Sequence, residues 1–192
     1  MAALHRARDN KLIDALERIS PVQLEGTVWR VVREGHDVLI PSAAGGRWDD
    51  GTFDVLYTSK AADGAAAEAY FHLSRGQPVF PSKITHRLYR LNATIKKALV
   101  LADLGAVARL GVDTTRYGAL SYNERQQEYP RTQEIAETAH FLGFDALMAP
   151  NARWECMNVI LFLDRIGPDA CEVTLDHGSI DLKKWQSAPL GC

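Results

Sequence analysis

Three side chains that can bind or stabilise charge lie close together between residues 45 and 73: Arg47, Tyr57 and Glu68. A guanidinium group binds anionic oxygens through paired hydrogen bonds, a phenol ring offers a face for stacking, and a carboxylate stabilises positive charge. A fourth group, Arg30, lies between apolar residues in TVWRVV, where an arginine faces either solvent or a pocket for an anion. Taken together and in this order, these residues favour a binding cleft.

Two of these residues also have a plainer interpretation. Glu68 lies in an alanine-rich segment whose bare face packs closely against neighbours, and a carboxylate buried there costs several kcal/mol unless it is paired. The alternative is that Glu68 points to solvent, and its neighbours at helical spacing, Ala65 and His72, do not decide between the two. Tyr57 ends an apolar run and would equally serve at the edge of the core with its hydroxyl in water.

The pattern of the chain predicts the elements that carry these residues. Segments 27–32 and 52–59 are rich in β-branched and aromatic residues and read as strands, and the alanine-rich segment 61–75 reads as a helix. Further strands are predicted at 85–92, 96–103, 144–150, 157–164 and 171–176, and further helices at 1–20, 104–111 and 132–143. Strands outnumber helices and do not alternate regularly with them, which predicts a single mixed-sheet α+β domain.

Composition and charge limit the classes of function. The 192 residues carry a formal net charge of −2, which gives no general attraction to nucleic acid or anionic lipid. The N-terminal helix is charged throughout and lacks the apolar region of a signal peptide, and no apolar run reaches the roughly 18 residues of a membrane span. The apolar face of the N-terminal helix comprises Leu4, Leu12, Ile13, Leu16 and Ile19. The 3 cysteines have no paired spacing, which favours reduced thiols in a cytoplasm.

Motifs for metal binding and nucleophilic catalysis are missing from the sequence. The 6 histidines lie far apart, and none has cysteine or aspartate at ligand spacing, so no metal is predicted. Neither a P-loop nor a G-x-S-x-G segment occurs, and the GGR turn at 45–47 alone is too weak to indicate a phosphate loop.

An ordered set of short motifs resembles the RES domain family. Its first half is matched by WR at 29–30, GGRW at 45–48, VLYTS at 55–59 and AAAEAYFHL at 65–73. Its end is matched by GFDALMAPNAR at 143–153 and NVILF at 158–162. The resemblance covers roughly residues 25–175, which implies an N-terminal helical extension over 1–24 and a peripheral tail over 176–192.

The resemblance implies a fold similar to that of ADP-ribosyltransferases and a role as the toxin of a bacterial toxin–antitoxin pair. The partner it implies is an Xre-type antitoxin, and the substrate is NAD+. The arginine of the family motif carries over to Arg30 or Arg47, and the glutamate to Glu68. Where many members have serine, this chain has Asn151, a short side chain that both donates and accepts hydrogen bonds.

The chemistry that the resemblance implies assigns a role to each residue. Cleavage of the nicotinamide–ribose bond passes through an oxocarbenium-like transition state, and nicotinamide leaves without protonation. Glu68 would accept a hydrogen bond from the ribose and stabilise the positive charge. Arg30 and Arg47 would bind the pyrophosphate, Tyr57 would stack on the nicotinamide ring, and Asn151 would hold a substrate amide or hydroxyl.

Several outcomes remain open at the level of sequence. The ADP-ribose could pass to a target protein, to water or to inorganic phosphate, and transfer to protein is the outcome that we expect. The different-class alternative is a non-catalytic module that keeps the fold and binds a nucleotide or a partner, which Asn151 in place of serine favours. A nuclease is disfavoured by the acidic balance and by the absence of a basic stretch.

Overall fold

The computed structural model describes residues 8–74, 83–119, 124 and 129–185. Within these residues the chain forms four α-helices and six β-strands. The helices are α1 (Asn10–Glu17), α2 (Ala62–Ser74), α3 (Leu104–Arg109) and α4 (Tyr129–Phe141). The strands are β1 (Val22–Arg33), β2 (Val55–Ser59), β3 (His86–Val100), β4 (Ala146–Pro150), β5 (Met157–Phe162) and β6 (Cys171–Ile180). The predicted mixed-sheet α+β domain with an N-terminal helix is confirmed.

The strands form one sheet with the order β1-β2-β5-β4-β3-β6, in which only the β3–β4 pair is parallel. An additional antiparallel pairing of β1 with β3 closes β1, β2, β5, β4 and β3 into a ring. The contact between β1 and β2 is short, with Trp29 opposite Ser59 as its register pair. The two strands therefore diverge, and the helix α2 packs against both of them.

Two hydrophobic clusters lie on the two faces of the sheet. One cluster joins Val28 of β1, Leu91 of β3 and Leu161 of β5 on the face enclosed by the ring. The other joins the opposite face to α1, α3 and α4, with Ile160 and Phe162 of β5 in it. Because both faces of β4 and β5 are covered, these strands are apolar runs without alternation, as buried strands are expected to be.

The helix α1 packs on α4 through Leu12 and Leu16, which are both buried. Asp9 caps it by accepting a hydrogen bond from the backbone N–H of Lys11 at 2.9 Å. Leu4, which the sequence placed on the same apolar face, lies outside the described residues. Gly143, expected to end α4, has a φ of +80° just beyond the last helical turn.

The boundaries of three predicted strands differ from the expectation. The segments 85–92 and 96–103 form the single 15-residue strand β3, because apolar and polar residues continue to alternate across 91–96 and no turn interrupts them. The strand β6 continues past residue 176 to Ile180 and pairs with β3 along most of its length. Leu182 beyond it is buried against the domain, so residues 176–185 contribute to the fold, while residues 186–192 lie outside the described part of the chain.

Two further properties concern the described residues only. None of their helices is both long enough and apolar enough to cross a lipid bilayer. Cys156 and Cys171 are free thiols, and Cys192 lies outside the described residues.

Candidate active site

A cleft with a volume of about 400 Å³ opens where β1 and β2 diverge, within the size range of small-ligand sites. Its walls come from β1, the loop of residues 42–48, β2, α2 and the segment that joins β4 to β5. Arg30, Arg47, Tyr57 and Glu68 all line this cleft. The structure therefore brings together four of the five side chains that the sequence singled out.

Glu68 lies on the cleft side of α2, and its side chain is only 22% exposed. Its Oε1 accepts hydrogen bonds from the backbone N–H of Ala152 at 3.3 Å and from Nδ2 of Asn158 at 3.2 Å. Its Oε2 lies 3.9 Å from Nε2 of His72, one helical turn further along. The solvent-facing alternative for Glu68 therefore does not describe this structure, since the carboxylate is fixed by donors from the opposite wall.

Asn151 does not line the cleft but lies buried behind it, 8% exposed. Its Nδ2 donates to Oδ1 of Asn158 at 2.7 Å and to the carbonyl of Gly64 at 3.3 Å. Its Oδ1 accepts from the backbone N–H groups of Arg153 at 2.7 Å and Trp154 at 3.0 Å. All of these partners belong to the protein, so Asn151 shapes the loop and orients Asn158, which in turn donates to the carboxylate of Glu68.

Asp49 and Tyr57 fix the turn that carries Arg47. The carboxylate of Asp49, which is 1% exposed, accepts from the backbone N–H groups of Gly45 at 2.8 Å and Gly46 at 2.9 Å. The Tyr57 hydroxyl donates to Asp49 at 3.0 Å and accepts from the backbone N–H of Trp48 at 2.8 Å. Burial raises the pKa of Tyr57 well above its usual value, and the nearby Asp49 charge raises it further. The hydroxyl is thus bonded to protein, while the side chain still lines the cleft.

The helix α4 holds the same turn from the other side. Thr132 Oγ1 donates to the carbonyl of Arg47 at 2.6 Å, and Gln133 Nε2 donates to the carbonyl of Gly46 at 2.8 Å. Hydrogen bonds from α4, Asp49 and Tyr57 thus engage the backbone of every residue from 45 to 48. The side chain of Arg47 is therefore presented from a fixed support.

The guanidinium of Arg47 lies over two tyrosine rings. Its Cζ is 4.4 Å from the ring centroid of Tyr117 and 5.2 Å from that of Tyr129. The Tyr117 hydroxyl donates to the carbonyl of Pro150 at 2.8 Å, which ties this ring to the end of β4. Burial raises the pKa of Tyr117 to about 12. Both rings limit the directions in which the guanidinium can move.

Arg30 uses much of its guanidinium to fasten the loop that follows β1. Its Nη1 donates to Ser42 Oγ at 3.1 Å and to the carbonyl of Tyr57 at 3.4 Å, and its Nη2 donates to the carbonyl of Ile40 at 3.1 Å. Burial lowers its pKa to about 10, which leaves the group charged at neutral pH. Arg30 therefore forms part of the wall and adds positive charge to it.

Arg153 is a charged residue of the cleft that the sequence analysis does not single out. It lies in the cleft wall with 6% of its surface exposed, and its Cζ stands 3.2 Å from the ring centroid of Phe71 on α2. Burial lowers its pKa to about 10, an effect that the nearby carboxylate of Glu68 opposes and the charge of Arg47 reinforces. The available signal is its place in the segment PNAR at 150–153, two residues after Asn151.

The fold and the cleft define a class of protein: a mixed α+β domain whose cleft is lined, among the described residues, by three arginines and one carboxylate. A sequence model of the RES domain matches residues 27–183, and the chain therefore belongs to the RES domain family. No curated protein matches the chain. A chain from the crystal structure of the M. tuberculosis MbcT–MbcA toxin–antitoxin complex shares the fold, with a TM-score of 0.76 at 17% identity. That match covers 95% of this chain and 98% of the other.

Proposed function

We propose that this protein is the toxin of a bacterial toxin–antitoxin pair and acts by cleaving the nicotinamide–ribose bond of NAD+. Membership of the RES domain family supports the proposal, as does the shared fold with a chain of a toxin–antitoxin complex. The observation that carries it is the position of Glu68, whose carboxylate is fixed in a cleft that three arginines also line.

The carboxylate of Glu68 has the geometry for stabilising an oxocarbenium-like ribose. Both of its hydrogen bonds from described residues go to Oε1, from Ala152 and Asn158, so Oε2 can accept a hydrogen bond from a ribose hydroxyl. The negative charge then lies beside the carbon that becomes positive as nicotinamide leaves. Because nicotinamide departs from a cationic state as a neutral molecule, no general acid is required.

The arginines and Tyr57 would bind the rest of the dinucleotide. Guanidinium groups bind pyrophosphate oxygens through paired hydrogen bonds, which Arg47 offers from its fixed turn and Arg30 supports from the adjoining wall. The ring of Tyr57 supplies an aromatic surface for nicotinamide, while its hydroxyl stays bonded to Asp49. Asn151 supports this arrangement from behind by orienting Asn158.

We expect the ADP-ribose to pass to a target protein, with water and inorganic phosphate as the competing acceptors. Incubation with labelled NAD+ and a cell extract separates the three, because transfer gives a radioactive protein band. Loss of NAD+ that depends on added phosphate indicates phosphorolysis, and free ADP-ribose indicates hydrolysis. The natural setting of the reaction is the cytoplasm, where we propose that an Xre-type antitoxin binds the protein and covers the cleft.

The direct test is the release of nicotinamide from NAD+ by the purified protein and by the variant Glu68→Gln. Removing one preorganised electrostatic contact costs on the order of a hundred- to a thousandfold in rate. Asp63→Asn is a matched control, because Asp63 is an exposed carboxylate on the same helix. Equal turnover by wild type and Glu68→Gln, with both folded by circular dichroism, contradicts the proposal. Tight NAD+ binding without turnover supports the non-catalytic module instead.

A further inference from the structure

The guanidinium of Arg153 makes no side-chain hydrogen bond to any part of the chain that the structure describes. Its Nε is fully buried without a hydrogen-bond partner, and its Cζ stacks over the ring of Phe71 at 3.2 Å from the ring centroid. A guanidinium has five N–H donors, and the one on Nε is buried here without a partner, which costs free energy. Folding alone gives no reason to keep this charge here, because an apolar side chain could fill the same space.

Arg153 and Arg47 reach the same cleft from two separate loops. Arg47 comes from the turn before β2, and Arg153 from the segment after β4. They are close enough that the charge of Arg47 acts on the pKa of Arg153, and Glu68 acts on it with the opposite sign. Two like charges held near each other repel, and an anion bound between them relieves that repulsion.

We propose that Arg153 is a ligand-binding residue and that it forms, with Arg47, the subsite for a diphosphate group. The inference rests on the proposed function and names the part of the substrate that this subsite takes. Two planar guanidinium forks suit two linked phosphate groups, each with oxygens that accept paired hydrogen bonds. The neighbouring carboxylate of Glu68 then meets the cationic nicotinamide riboside end. The positive charges of the cleft thus lie at the anionic diphosphate, and its negative charge lies at the cationic nicotinamide riboside.

The test measures binding without relying on turnover. Isothermal titration calorimetry compares ADP-ribose, which has two phosphates, with AMP, which has one, and adenosine, which has none. We expect Arg153→Gln to weaken ADP-ribose binding by about ten- to a hundredfold, the usual effect of losing charge-assisted hydrogen bonds, while adenosine binding stays unchanged. Arg109→Gln is the matched control, since Arg109 is exposed on α3 and does not line the cleft.

A second variant and thermal unfolding separate this role from a structural one. Arg153→Lys keeps the charge without the planar fork, so we expect it to recover part of the ADP-ribose affinity. The ligand-free Arg153→Gln protein is expected to unfold at or above the wild-type temperature, because a buried charge that forms no ion pair with a described residue within 4.0 Å has been removed. A lower unfolding temperature with equal losses for ADP-ribose and adenosine indicates a packing residue and overturns the inference.

The remaining outcomes distinguish the inference from the function on which it rests. Wild-type binding of ADP-ribose that falls in Arg153→Gln, without any release of nicotinamide, upholds the diphosphate subsite and rejects the proposed cleavage. Nicotinamide release with equal ADP-ribose affinity in wild type and Arg153→Gln upholds the cleavage and rejects the subsite. Failure of the wild type to bind any diphosphate ligand also rejects the subsite.

Discussion

Asn158 joins the buried loop behind the cleft to the carboxylate in front of it. It accepts a hydrogen bond from Asn151 at 2.7 Å and donates one to Glu68 at 3.2 Å, and it is itself 9% exposed. Because its amide is held from behind, the direction of its N–H toward Glu68 is set before any ligand binds. Such a residue acts by positioning the carboxylate and does not itself need to touch the reacting atoms.

Because Asn158 positions Glu68, we expect the single substitution Asn158→Ala to lower kcat for nicotinamide release by about ten- to a hundredfold with little change in KM. The reason is that one hydrogen bond to a charged group, worth about 1.5–3 kcal/mol, no longer holds Glu68 in place. Steady-state kinetics against Asn92→Ala, an exposed asparagine on β3, checks the result. A raised KM with unchanged kcat would show instead that Asn158 serves substrate binding.

The cleft-lining residues that the sequence predicted lie near one another along the chain, whereas Arg153, which it did not predict, comes from a distant segment. Arg30, Arg47, Tyr57 and Glu68 fall within a span of 39 residues and share the cleft. Arg153 lies more than eighty residues beyond Glu68, in a loop whose course no local periodicity reveals. Only the pairing of β2 with β5 brings that loop against α2.

The helix α2 owes its place in the cleft to small residues. Ala65, Ala66 and Ala67 are buried, and Gly64 comes so close to the sheet that an added Cβ would lie 2.4 Å from Cys156 Sγ and 2.5 Å from Ser59 Oγ. No real Cβ tolerates such contacts, so the neighbours or the helix would have to move. Glycine within a helix usually costs stability, and here it permits the close approach that carries Glu68 to its donors.

At the scale of the element, Gly64→Ala is expected to lower the free energy of unfolding by about 1–3 kcal/mol, the usual cost of overpacking. The sign is opposite to helix propensity, which alone would favour alanine by about 1 kcal/mol. Urea denaturation compares it with Gly167→Ala, where an added Cβ meets nothing within 4 Å and the change should stay within about 0.5 kcal/mol. An increase in stability for Gly64→Ala would contradict the packing described for α2.

Some helices and strands are predictable from their local sequence pattern, and others depend on contacts with distant strands. The helices α2 and α4 and the apolar strands β4 and β5 followed from local composition. The strand β3 is predicted as two strands because Asn92 and Thr94 make its middle polar, although both alternate with the buried residues Ala93 and Ile95. Such a long strand is stable because β1 pairs with it across nearly its whole length, a contact that no local pattern shows.

At the scale of the whole molecule, His86 lies where three strands meet. It begins β3, pairs with Arg33 of β1 and Ile180 of β6, and is 8% exposed. Burial lowers its pKa below the usual value of 6.5, and the charge of Arg33 lowers it further. The folded protein therefore holds this imidazole in its neutral form at a pH at which the unfolded chain already protonates it.

The lowered pKa of His86 makes the free energy of unfolding depend on pH. Between the folded pKa of His86 and 6.5 the unfolded chain binds more protons, so the free energy of unfolding decreases as the pH falls below about 6.5. We expect the decrease between roughly pH 7.5 and pH 5.5 to be smaller in His86→Gln, because that side chain does not titrate. Urea denaturation at both pH values measures it, and an equal decrease in the variant would assign the effect to other groups.

The central claim is that the cleft between β1, β2 and α2 binds a dinucleotide with its nicotinamide end at Glu68. The most direct measurement is a crystal structure of Glu68→Gln with NAD+, a variant expected to bind the intact substrate without cleaving it. We expect the diphosphate between the guanidinium groups of Arg47 and Arg153 and the nicotinamide ribose beside residue 68. NAD+ bound outside this cleft, or bound within it with the adenine end at residue 68, would contradict the account.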